Sequence, residues 1–299
     1  MGPAVRQTSA IFDDFWNSAS VIPLAALSGA EERALARLRA HGDAGYRSTR
    51  AADYVARLRS SPGLPALVGG NALHWLDEVG VYSDPAAKGQ GEGKAQWLVH
   101  RLGRAMGLAK RELRVISPYF VPGEEGTRWL VGKRAQGVDV SVLTNSLAAN
   151  DVMAVHGGYA PYRVPLLEGG VTLYELMPHG RQDSSLFGSS GASLHTKAFA
   201  VDAERGFIGS FNLDPRSVNL NTEMGILFRD RAATAALLRS YEAKIAPDKS
   251  YRVRLLDGEL RWDDASVAPP RTWDREPEAS AWRRWTARAV GWLPIESQL

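Results

Sequence analysis

The chain has 299 residues, no cysteine, 44% hydrophobic and 23% charged residues, and a formal charge of +3 at pH 7. These fractions exclude collagen-like, coiled-coil and wholly disordered chains. Zero Cys excludes a disulfide framework, thiolate metal sites and a Cys nucleophile. The mild basic excess permits an anionic partner (a phosphate ester, a membrane surface or a nucleic acid) and selects none of them.

No apolar run approaches the ~18 residues of a spanning helix. The longest candidate, Val21 to Leu27, is short and holds Pro23. The opening Met1-Gly2-Pro3-Ala4-Val5-Arg6 lacks the basic-then-apolar layout of a signal peptide. Any membrane contact is therefore expected to be peripheral.

In chain order, residues 1–92 read as a helical lead-in. Helical apolar spacing covers Ile11–Trp16, Glu31–Ala40 and Ala51–Arg59, with Gly42, Gly45, Pro62, Gly63 and Pro65 as breakers. Residues 83–93 read as a loop. Residues 93–246 alternate regularly. Helices are expected over Lys94–Lys110, Glu124–Gln136, Asp151–Leu167 (bent by Pro161 and Pro165) and Arg231–Ile245. Strands are expected over Leu113–Ser117, Val138–Thr144, Val171–Leu176, Leu194–Val201, Gly206–Gly209 and Glu223–Phe228. Such alternation predicts an α/β module with a mixed, mostly parallel sheet flanked by helices. In the tail, residues 247–299, Asp257-Gly258 marks a hairpin turn because both positions accept positive φ cheaply. Residues 266–278 hold three prolines and read as a linker, and Ala279–Trp292 as a last helix.

The chemically informative stretch is Leu194-His195-Thr196-Lys197, with Asp202 five residues further on. On a strand, His195 and Lys197 project from one face. An imidazole beside an ammonium suits a phosphate ester: histidine is a nucleophile or proton carrier near neutral pH, and lysine supplies positive charge to the non-bridging oxygens. Asp202 falls on the opposite face at the strand end, which favours anchoring the turn. Downstream, Ser210 and Asn212 head a loop with a hydroxyl and an amide able to bond phosphate oxygens. Glu223 could hold the second nitrogen of His195. A bare His-x-Lys-x4-Asp arises by chance in about one or two of a hundred chains this long; the added Ser, Asn and Glu make chance a minor explanation. His41 and His179 lie in loop-like text, and His74 and His100 in helix-like text. His156 reads either as lining a site or as part of a surface helix.

Residues 194–225 resemble the HKD motif region of the phospholipase D superfamily. With Ile116–Gly123 (ISPYFVPG), Leu143–Val152 (LTNSLAANDV) and Gly209–Gly225, the text is similar to the C-terminal half of bacterial cardiolipin synthases of the phospholipase D type, from about Phe12 to Glu296. The resemblance implies a covalent phosphohistidine. One motif His attacks phosphorus; a second protonates the leaving alcohol and then activates the incoming one. His195 matches a motif His in one of these roles, Lys197 the phosphate-binding Lys and Asp202 the structural Asp. Ser210 and Asn212 match supporting phosphate ligands, and Glu223 the carboxylate that orients His195. No metal or other cofactor is implied. The implied substrate is a phosphatidylglycerol-like phospholipid, met peripherally at the inner face of a bacterial cytoplasmic membrane.

Members of this family carry two HKD motifs, and this sequence has one. The expectation is a C-terminal fragment completed by a second HKD half or by a symmetric homodimer. The rival readings are a single-motif homodimeric phosphodiesterase or nuclease, and a non-catalytic lipid-binding remnant. Trp282, Trp285 and Trp292, with Arg283, Arg284 and Arg288 and no acid between them, suit either interfacial binding or a packed terminal helix.

Overall fold

The computed structural model describes residues 2–27, 32–60, 74–178 and 194–291. The expected breakers at residues 62–65, His179 and Trp292 lie outside the described residues. The chain forms two compact units, one of Met1–Trp16 with Leu76–Leu299 and one of Asn17–Trp75.

The first helix, α1 (Pro3–Trp16), starts at a proline, whose missing N–H costs nothing in a first turn. Within the second unit lie α2 (Leu24–Leu27), α3 (Glu32–Tyr46) and α4 (Thr49–Ser60). Ser48 caps α4, its Oγ accepting from Ala51 N at 3.2 Å. Gly42 and Gly45 were expected to break the chain, yet α3 runs through both. Glycine inside a helix lowers stability by about 1 kcal/mol relative to alanine and does not forbid the conformation.

The large unit is built on one ten-stranded sheet. Its strands are β1 (Glu78–Ser83), β2 (Glu112–Ile116), β3 (Asp139–Asn145), β4 (Thr172–Leu176), β5 (Lys197–Val201), β6 (Arg205–Gly209), β7 (Met224–Arg229), β8 (Ser250–Leu256), β9 (Glu259–Asp264) and β10 (Arg271–Trp273), in the order β1-β7-β6-β5-β2-β3-β4-β8-β9-β10. Only β2–β3 and β3–β4 are parallel; every other neighbouring pair is antiparallel. The expectation of a mostly parallel sheet is corrected accordingly. Parallel neighbours need a crossover. They have one only at α6 (Gly123–Ala135) and at α7 (Met153–Tyr159) with α8 (Arg163–Glu168). Tight turns reverse the chain between β5 and β6 and between β8 and β9. At Asp257-Gly258 both residues take positive φ, 53° and 80°, as the hairpin reading required.

Helices cover both faces. Leu98, Leu102 and Met106 of α5 (Leu98–Gly107), Leu130 of α6, and Val155 and Tyr159 of α7 pack on Val115, Val142, Phe199 and Phe207. On the other face Leu237 and Tyr241 of α10 (Arg231–Lys244) meet Ile116, Leu143, Ala198 and Phe228. Asp230 caps α10 through Ala233 N at 2.7 Å. The last helix is α11 (Ala281–Gly291).

The boundaries after residues 92 and 246 expected from sequence do not separate compact bodies. Strand β1, inside the supposed lead-in, pairs with β7, and the tail hairpin extends the sheet through β8 on β4. The expected linker over residues 266–278 contains β10. Lys94–Lys110 is interrupted at Trp97, where a 3-10 turn gives way to α5.

Candidate active site

The ends of β1, β2, β3 and β6 and the starts of β5 and β7 lie at one end of the sheet, as their pairing directions require. Every stretch that carries the resemblance emerges there. Asn145, at the end of β3, grips the backbone of Leu194, accepting from its N–H at 3.0 Å and donating to its carbonyl at 3.4 Å. This fixes the residue before His195. The His195 ring is exposed and makes no hydrogen bond among the described residues. Lys197 Nζ donates to the His195 carbonyl at 2.9 Å and lies 5.9 Å from the ring centre of Tyr119. Burial lowers the Lys197 pKa; the nearby carboxylates of Glu223, Asp214 and Asp151 oppose that shift.

Tyr119 comes from the 116–123 stretch. Burial and its hydrogen bond to Asp151, at 2.9 Å, push its pKa up to about 12, so its hydroxyl stays protonated as a donor. Ser117 Oγ accepts from Leu213 N at 2.9 Å and so joins this stretch to the loop after β6.

That loop starts at Ser210. Its hydroxyl donates to the Glu223 carboxylate, and its oxygen accepts from Met224 N at 3.0 Å. Asn212 is buried, with its N–H on Ser217 Oγ at 3.2 Å. Its side-chain oxygen has no hydrogen-bond partner among the described residues, so this amide is not committed to the protein's own network. Helix α9 (Pro215–Asn219) follows, capped by Asp214 through Ser217 N at 2.6 Å. Burial raises the Asp214 pKa to about 6 and Glu223 adds to the rise, against its bonds to Ser217.

Glu223 does not touch His195. Its carboxylate accepts from Ser210 Oγ and, at 3.0 Å, from Ser217 Oγ. Its backbone is pinned from below by Asp84, which accepts from Glu223 N at 2.9 Å and whose N–H donates to Glu223 O at 2.8 Å. This attachment directs the side chain at the two serines.

Asp202 lies at the far end of β5. Its carboxylate accepts from the backbone N–H groups of Lys110, Arg111 and Glu112 at 2.8–3.2 Å. Burial alone would raise its pKa, but these bonds hold it below the usual carboxylate value. It anchors the β5–β6 turn to the start of β2.

Sequence reasoning missed the support under the site. Asp84 and Lys88 are fully buried and form an ion pair at 2.7 Å. Lys88 Nζ also donates to Ser217 O at 2.7 Å, and Asp84 accepts from Leu98 N at 2.7 Å, capping α5 from a distance. Their i, i+4 spacing in the loop text was the only available signal. His156 is corrected from the surface-helix reading. It is buried, with Nε2 2.5 Å from Arg163 and 3.1 Å from Glu276, beside a cavity of about 450 Å³ lined by Leu147, Arg163, Trp262 and Arg284. Among the described residues no group of three His, Asp or Glu could hold a metal ion, and no helix is long and apolar enough to cross a membrane.

The family described as "Cardiolipin synthase, PLD-like domain" matches residues 102–245. Cardiolipin synthase C of Escherichia coli (strain K12) is 37% identical over 304 residues, covering 99% of this chain and 64% of that protein. Cardiolipin synthase A of Yersinia pseudotuberculosis is 29% identical over 226 residues, covering 75% of this chain and 39% of that protein. The chain thus spans less than two thirds of these relatives. Among solved structures, the phospholipase D family member Nuc from Salmonella typhimurium is similar, with 17% identity, a TM-score of 0.44, and coverage of 59% of this chain and 98% of that one. The sequence matches establish that the chain belongs to the phospholipase D superfamily and is cardiolipin synthase-like.

Proposed function

We propose that this chain supplies one half of a phosphatidyl-transfer centre acting on phospholipid at a membrane surface. One observation carries the reading: exposed His195 lies two residues before half-buried Lys197, whose ammonium bonds the His195 carbonyl, where the 116–123, 143–152 and 209–225 stretches meet.

In one role a ring nitrogen of His195 attacks the phosphorus of the donor lipid. The P–O bond to the leaving alcohol breaks, and that oxygen takes a proton from a second motif His. A hydroxyl of the acceptor lipid then attacks, its proton passes to the second His, and the P–N bond breaks. In the other role His195 gives and retrieves that proton while the second His is the nucleophile. Lys197 neutralises the non-bridging oxygens and Asn212 donates to them through its amide N–H, while Glu223 holds the Ser210 hydroxyl at the head of the loop. Asp202 holds the strand without touching substrate.

The second His comes from another HKD half or from a second copy of this chain. The side chains of Ile208, Met224 and Ile226 support this need. They lie at the same end of the sheet, on the face opposite Lys197, and are 47%, 41% and 42% exposed.

Supplied with a second HKD half, the chain is expected to make cardiolipin from phosphatidylglycerol. His195→Ala should reduce turnover by about three orders of magnitude or more with unchanged circular dichroism. Unreduced turnover in that variant would overturn the assignment.

A further inference from the structure

Helix α11 is turned the wrong way round for a helix that only packs on its own protein. Its inner face is Arg283, Ala287 and Gly291, spaced i, i+4, i+8. Ala287 is buried, and the helix crosses α7 so closely that a Cβ on Gly157 would meet the Ala287 carbonyl oxygen at 2.5 Å. Trp282 and Trp285 lie on the opposite face. They are 66% and 61% exposed and stack on each other, with centroids 5.2 Å apart and planes at 24°. Arg288 is exposed on the flank of the helix, half-buried Arg284 lines the cavity beside His156, and residues 279–291 contain no acid.

We propose that this outer face of α11 docks on an anionic phospholipid bilayer, with the Trp pair at headgroup depth and Arg288 on lipid phosphate. Indole rings favour the interface because one edge is apolar and the N–H stays hydrated, and cationic side chains gain near anionic lipid. The outer face of the helix carries Arg288 and no acid of its own, so it is complementary in sign to such a membrane. The helix is also tied to the site. Arg283 donates to the carbonyls of Leu147 at 2.9 Å and Asn150 at 2.5 Å, in the loop leading to Asp151, which holds Tyr119. Docking through α11 would set the approach of lipid to that end of the sheet.

The inference is independent of turnover, so a chain bearing His195→Ala should bind vesicles as the wild type does. The test is co-sedimentation of the full chain with large unilamellar vesicles of phosphatidylcholine containing phosphatidylglycerol, and of phosphatidylcholine alone. Trp282→Ala with Trp285→Ala should weaken binding at least about tenfold, with the melting temperature unchanged because both rings are exposed. Arg288→Gln should weaken the preference for phosphatidylglycerol. Binding by the double Trp variant equal to wild type overturns the proposal. So does a loss of self-association in that variant, measured by sedimentation velocity, without any loss of vesicle binding; the face would then be a contact between copies.

Discussion

At the scale of the residue, the site depends on charges that never meet substrate. Asp84 and Lys88 have no exposed side-chain surface, and between them they hold the backbones of Glu223, Ser217 and Leu98. Removing one member of such a pair leaves a buried charge without a partner. Lys88→Met is therefore expected to cost about 3–5 kcal/mol of unfolding free energy. Adding Asp84→Asn should recover part of that loss, because the remaining amide oxygen can still accept a backbone N–H. Urea titrations of the two single variants and the double variant measure the coupling; additive losses would mean that the pair acts as two independent groups. His195, Lys197, Ser210, Asn212 and Glu223 could be singled out in the sequence because the motif they resemble has fixed residue types at fixed spacing. Asp84 and Lys88 were not, since a charge under a site and a charge in a solvated loop look alike in sequence. The Glu223–His195 contact failed to appear for a related reason. Sequence spacing places a carboxylate near the site, but the backbone attachment to Asp84 decides which hydroxyls it faces.

At the scale of the element, short helix α9 links the loop after β6 to Glu223. Its cap, Asp214, has a pKa raised to about 6 by burial, so its ionised form is disfavoured in the fold. The sign follows from linkage. A carboxyl whose folded pKa exceeds its unfolded value stabilises most below the unfolded value and loses that contribution as pH rises to the folded one. Stability attributable to Asp214 should thus fall between about pH 4 and pH 6. A rise of about two units caps the loss at about 3 kcal/mol. Asp214→Asn keeps a competent cap while removing the titration, so melting curves between pH 4 and 7 should be flatter for the variant than for the wild type. Equal slopes would remove Asp214 as the source. The elements themselves were largely readable from the 3.6- and 2-residue periods. Strand direction was not, because alternation reports burial and says nothing of parallel or antiparallel pairing. Strand β1 escaped notice because Val79 and Val81 are two apolar residues in helix-like text, and their partners Phe228 and Ile226 lie far along the chain.

At the scale of the whole molecule, the sheet brings the exposed His195 and the uncovered side chains of Ile208, Met224 and Ile226 to the same end. Antiparallel register forces the coincidence, since Gly209 pairs with Lys197 and Ile208 with Ile226. A two-histidine reaction needs a second imidazole facing the first. These apolar side chains, at this end of the sheet on the face opposite Lys197, are where a second module reaching around that end would lose least by being desolvated. Ile208→Glu places a charge there on a side chain that is already half exposed, so the melting temperature should move little. Turnover should fall sharply whether the second His comes from another half or from another copy. The dependence on concentration separates the two sources. With a second copy, the rate rises as the square of chain concentration below the dimerisation constant; with a separate half in excess, it rises linearly. If Ile208→Glu leaves turnover intact, the two histidines meet across some other surface, and the exposed strand residues have no part in assembling the site.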